Sequence, residues 1–126
     1  MKKTIFENNK IIFELEDGIL LGNWKCDIID LDVAKEVVKH RVEATEGKKY
    51  PLLVDIKNVK TSTKEARDFL ASEKGCEGLV ASGILIGSSI GSMIGNFFIN
   101  ISRPYIPTQL FSDEAKAKKW LKSQIK

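Results

Sequence analysis

Three neighbouring hydroxyls, Thr61, Ser62 and Thr63, stand just before an apolar-periodic run and just after Lys57-Asn58-Val59-Lys60. Hydroxyls at the start of a helix can cap its free backbone N–H groups, or accept a phosphate whose charge the helix dipole favours. Ser62-Thr63-Lys64-Glu65 has the spacing of a capping box. Ser62 is therefore expected to cap the Glu65 amide while Glu65 reaches back. Capping by itself accounts for these hydroxyls. A second polar turn, Gly87-Ser88-Ser89, precedes another helical run and offers the same chemistry.

Other reactive side chains are few. The chain has one histidine, His40, and two cysteines, Cys26 and Cys76, with no C-x-x-C or H-x-x-x-H spacing. That excludes the usual zinc-ligand patterns. Cys26 follows a strand-like run and His40 lies in a helical one, so spacing does not join them as nucleophile and base. Glu14, Glu16 and Asp17 cluster near a turn, which alternate water-facing strand positions explain. No carboxylate pair or nucleophile motif is visible. The expectation is a non-enzyme with no cofactor and no metal.

The 126 residues carry 20 Lys plus Arg against 17 Asp plus Glu, a net charge of +3. With 43% apolar and 29% charged residues, the chain reads as one globular domain spanning 1–126. Only three of the basic residues are arginine. Arginine is the usual tool for bidentate phosphate and base recognition, so this bias argues against nucleic acid as a partner. The opening Met1-Lys2-Lys3-Thr4 resembles the charged start of a leader. Ile5-Phe6 then runs at once into Glu7-Asn8-Asn9-Lys10, and the required apolar stretch fails. A cytoplasmic protein with reduced thiols is expected.

The elements that must position these residues follow from periodicity. Ile11–Glu16 and Ile19–Trp24 flank Asp17-Gly18 and predict an antiparallel hairpin. Ala34, Val37, Val38, Arg41, Val42 and Thr45 recur at helical spacing, with Gly47 as the stop. Pro51–Ile56 is a short apolar run typical of a buried parallel strand. Ala66, Phe69 and Leu70 form the stripe of the next helix, which Gly75 closes. Leu79–Ile86 is another buried strand. Ile90, Met93, Ile94, Phe97, Phe98 and Ile101 predict a helix that Arg103-Pro104 breaks. Pro107–Phe111 is the last strand, and Ser112-Asp113-Glu114 starts a final helix. Its inner face is expected to hold Ala117, Trp120, Leu121 and Ile125, and its outer face Lys116, Lys118, Lys119 and Lys122. The predicted order is β-β-α-β-α-β-α-β-α, an α/β domain with a mixed, mostly parallel five-stranded sheet packed with helices.

The charges avoid one stretch. A 25-residue window, Gly78–Ser102, has none and holds five of the nine glycines. Gly83, Gly87, Gly91 and Gly95 repeat the G-x-x-x-G spacing of packed membrane helices. Four serines, Asn96 and Asn100 dilute that stretch, and Gly87-Ser88-Ser89 divides it into strand-length and helix-length runs. No transmembrane segment is expected.

The element order and several motifs resemble the SpoIIAA-like proteins, small relatives of STAS domains that share broad architecture with the CRAL-TRIO lipid-binding fold. Gly95-Asn96-Phe97-Phe98, Arg103-Pro104, Pro107, Phe111–Ala115 and Trp120-Leu121 look like that family's third helix, last strand and final helix. Leu53-Val54-Asp55, Val59 and Ala66-Arg67 resemble its central strand and second helix. STAS-type anti-sigma-factor antagonists carry a D-S-x-G turn whose serine is phosphorylated. Aligned on Asp55 and Val59, that pattern puts Thr63 at its aspartate and Lys64 at its serine, with no glycine following. The switch motif is absent.

The resemblance implies a non-catalytic bacterial signalling module that binds a protein partner. Its working surface would be the loops Lys57, Asn58, Lys60, Thr61, Ser62, Thr63 and Gly87, Ser88, Ser89, since open α/β sheets use the crevice at strand C-termini. The alternative is a small hydrophobic ligand or lipid, held in an apolar pocket near Met93, Phe97 and Phe98. Contact of the lysine-rich last helix with an anionic membrane, and a homodimer through a sheet edge or helix face, are left open.

Overall fold

The computed structural model of the protein describes residues 2–86 and 103–125. Strands β1 (Lys3–Glu7), β2 (Ile11–Glu16) and β3 (Ile19–Trp24) form an antiparallel meander. Asp17 and Gly18 join β2 to β3 with φ of 53° and 78°. A two-residue type I′ turn needs that left-handed pair, and Asp-Gly adopts it at little cost.

The short β4 (Ile28–Ile29) leads into α1 (Leu31–Ala44), whose N-cap Asp30 accepts from the Val33 amide at 2.9 Å. The chain continues through β5 (Tyr50–Asp55), β6 (Thr61–Ser62), α2 (Lys64–Ala71), β7 (Leu79–Leu85), β8 (Thr108–Phe111) and α3 (Glu114–Ser123). One sheet has the order β1-β2-β3-β5-β7-β8, and β4 pairs with β6 in a separate ribbon. From β3 to β8 every pairing is parallel.

The sheet has six strands rather than the five expected. The addition is β1, an antiparallel edge made from residues that the sequence offers only as a failed leader. Its register shifts between Thr4 and Phe6, so alternation breaks within five residues and leaves no periodic signal. The two-residue strands β4 and β6 are likewise too short to show a period.

Alternation along the central strands divides the core between two faces. Ile11, Phe13, Leu20, Trp24 and Leu52 pack under α1 and α2 with Ala34, Val37 and Ala66. On the opposite face Ile19, Leu53, Ala81 and Leu85 meet Ala117 and Leu121 of α3. At Gly83 a Cβ would come within 3.4 Å of the Leu121 side chain, so glycine allows α3 this close an approach.

Two expectations for α3 are corrected. Ile125 is 46% exposed, because the helix ends at Ser123 with Gln124 as its cap and Ile125 lies beyond it. Lys118 is not a solvated outer residue. It is half-buried and bridges Glu16 of β2 at 2.7 Å and Glu114 at 2.8 Å. The first part of the uncharged window is β7, hydrogen-bonded between β5 and β8. Its lack of charge there is burial. Among the described residues no helix is long and apolar enough to cross a membrane. The helix expected over Ile90–Ile101 lies outside the described residues.

Leu121 is fully buried. Leu121→Ala should cost about 2–5 kcal/mol in urea unfolding, whereas Leu121→Met should cost less than about 1.5 kcal/mol. The hydrogen bond from Lys118 is the main reason that the Glu16 and Glu114 carboxyls sit below their ordinary value of 4.5. A carboxyl depressed on folding adds stability above its unfolded pKa, and that stability is lost as pH falls through the folded value. Lys118→Met should therefore lose less stability than the parent between about pH 5 and pH 3, followed by denaturant titration at stepped pH.

Candidate functional site

Because β3, β5 and β7 run parallel, they deliver Trp24, Asp55 and Leu85 to the same end of the sheet. The Ile56 amide still donates to the Leu85 carbonyl at 3.1 Å, after which the chain turns. Asp55 shapes that turn. Its Oδ1 accepts from the Lys57 amide at 2.9 Å and its Oδ2 lies 3.4 Å from the Lys57 ammonium. Asn58 is exposed, while Val59 drops into the core beneath it.

Lys60 and Thr61 then close onto the β4 segment, both donating their amides to the Asp27 carbonyl at 2.7 and 3.2 Å. Lys60 also places its ammonium 3.8 Å from the Asp27 carboxylate. Ile28 pairs with Thr61, and Ile29 with Ser62. This ribbon buries Ile29 but leaves Ile28 55% exposed. An exposed isoleucine thus lies beside an exposed hydroxyl and a lysine.

The helix cap differs from the sequence expectation. Pairing with Ile29 holds Ser62 in β6, so α2 starts one residue later with Thr63 as N-cap. The Thr63 hydroxyl accepts from the Ala66 amide at 3.1 Å. Glu65 is then the second helical residue rather than the third, and the Ser62–Glu65 capping box does not form. Ser62 instead accepts from Arg67 Nη1, at 2.6 Å on its carbonyl and 3.2 Å on its hydroxyl. Lys64, aligned with the STAS serine, opens the helix and pairs with Asp68 at 2.8 Å. Ala66, Phe69 and Leu70 face the core as predicted, but the helix ends at Ala71 before Gly75.

The structure brings Lys57, Asn58, Lys60, Thr61, Ser62 and Thr63 together on one edge. Gly87, Ser88, Ser89, Met93, Phe97 and Phe98 lie outside the described residues. His40 stacks on Phe6 of β1 with ring centroids 4.5 Å apart. Burial pushes both cysteine thiols above their ordinary pKa, against reactivity. Among the described residues no group of three or more His, Cys, Asp or Glu could hold a metal.

A cavity of about 100 Å³ lies between the sheet and the α1/α2 layer. Its wall is mostly apolar, with Phe13, Val37, Leu52 and Ile84, and it includes Arg41 and Arg67. Arg41 is only 4% exposed and donates through Nη2 to the carbonyls of Gly75 at 3.2 Å and Glu77 at 2.6 Å. Burial lowers its pKa to about 10. The sequence signal for this feature is an arginine, one of three, inside an otherwise apolar helical stripe.

Residues 13–125 match the family model described as a domain of unknown function, DUF7793. The chain belongs to that family. No curated protein matches it. Among solved structures, the crystal structure of an uncharacterised protein of the DUF3478 family from Shewanella loihica PV-4, with a SpoIIAA-like fold, is similar to this DUF7793 chain. The TM-score is 0.62 at 15% identity, covering 96% of this chain and 95% of that one. The fold of the DUF7793 chain is SpoIIAA-like.

Thr63→Ala should cost about 1 kcal/mol in thermal or urea unfolding, the usual worth of an N-cap. Ser62→Ala should leave the α2 cap intact and cost less. The reverse ranking would restore Ser62 as the cap.

Proposed function

We propose that residues 1–126 act as one non-catalytic SpoIIAA-like module in cytoplasmic bacterial signalling, binding a protein partner. The contact edge is the end of the sheet carrying Lys57, Asn58, Lys60, Thr61, Ser62 and Thr63, and Gly87, Ser88 and Ser89 are the second candidate loop. The observation that supports this reading is the β4–β6 ribbon. It holds the exposed Ile28 against Thr61, with Lys60 and Asp27 beside them. An apolar side chain ringed by polar groups has the anatomy of an interface centre with its rim. Lys64 occupies the aligned phosphoserine position, so binding here does not use the STAS serine switch.

The test is affinity purification of the full chain from its native cells, with partner recovery quantified for the parent, Ile28→Asp and Thr61→Glu. Both substitutions are on the surface and should shift stability by no more than about 0.5 kcal/mol. Each should reduce partner recovery about tenfold or more if the ribbon is the interface centre. Equal recovery across the three proteins removes the ribbon from the interface.

The cavity supports a second reading, a small-ligand protein, with the ligand under α1 and α2.

A further inference from the structure

A buried cation in an apolar wall calls for a counter-charge. Removing a guanidinium from water costs several kcal/mol unless charge and hydrogen bonds replace the lost hydration. At Arg41 the replacement is partial. Two backbone carbonyls take Nη2, while Nε and Nη1 have no acceptor among the described residues. No carboxylate among those residues lies within ion-pair distance of it. Cys76 also lines the cavity, but burial keeps its thiol protonated at neutral pH and thus not a counter-ion. Arg41 remains cationic there despite its lowered pKa.

We propose that the cavity binds a small carboxylic acid, with the carboxylate on the free side of the Arg41 guanidinium and the apolar tail among Val37, Leu70 and Leu79. The proposal rests on the second, small-ligand reading above and names its ligand class. A planar carboxylate matches the fork of an arginine through two parallel hydrogen bonds. Volume sets the tail. An engineered cavity of about 150 Å³ takes benzene, so about 100 Å³ suits a tail of roughly three to five carbons.

The experiment is a methyl-detected NMR titration of the full chain with pentanoate and, separately, with its neutral counterpart pentanamide. Saturable shifts are expected at the Val37, Leu70 and Leu79 methyls, with pentanoate binding about tenfold tighter than the amide. Arg41→Gln should bring the acid down to the affinity of the amide, and Arg41→Lys should restore part of the difference. Leu70→Phe leaves Arg41 in place but fills the space, and should abolish both. It keeps the test open if the Arg41 variants fail to fold. Equal binding of acid and amide by the parent would overturn the carboxylic acid and leave the small-ligand reading standing. No saturable shift with either compound would overturn both. Unchanged binding by Leu70→Phe would place the ligand elsewhere and overturn the assignment.

Discussion

Strands β5 and β7 are hydrogen-bonded along both edges, and this governs what the remaining elements must do. A strand paired on both sides has only its two faces left to shield, and alternate residues point to opposite ones. Leu52 and Leu53 are consecutive and both buried, yet Leu52 packs with the α1/α2 layer and Leu53 with the α3 layer. Neither layer can be removed without exposing a row of core side chains. The small residues Ala81 and Gly83 on β7 let α3 lie close, and Leu121 fills the space they leave.

Parallel pairing also orders the polar chemistry. It carries the ends of β3, β5 and β7 to one edge, where the chain must turn and satisfy its backbone away from the main sheet. It does so through Asp55 on the Lys57 amide, the Asp27 carbonyl on Lys60 and Thr61, and the β4–β6 ribbon. The result is an edge on which two of the three hydroxyls have defined partners. Ser62 is claimed by Ile29 and Arg67, and Thr63 by the helix it caps. Thr61 and Ile28 are the side chains of the ribbon that face outward.

The hairpin at Asp17-Gly18, the α1 stripe and the runs at 51–56 and 79–86 were legible because each is a local pattern repeated several times. The edge strand β1 was not, because a register shift breaks its alternation within five residues. The capping box at Ser62 was misplaced by one residue for a related reason. Its spacing is correct for a helix that starts freely, but a pairing to Ile29, 33 positions earlier in the chain, holds Ser62 extended. The lysine stripe of α3 shows the same limit. Lys118 looks solvated on its own helix, and only the return of that helix beside β2 brings it to Glu16, 102 residues away.

By itself the sequence determined the α/β class, the buried strands, the absence of the D-S-x-G motif and the cluster of lysines and hydroxyls after β5. These depend on composition and on periods that neighbouring residues reveal. Tertiary structure alone decided what the arginines do. Arg41 reads as a lapse in an apolar stripe until the turn after α2 brings the carbonyls of Gly75 and Glu77 to it, 34 and 36 residues on. A charge that is costly to bury locally is held only when distant backbone supplies its partners, and no local period records that contact.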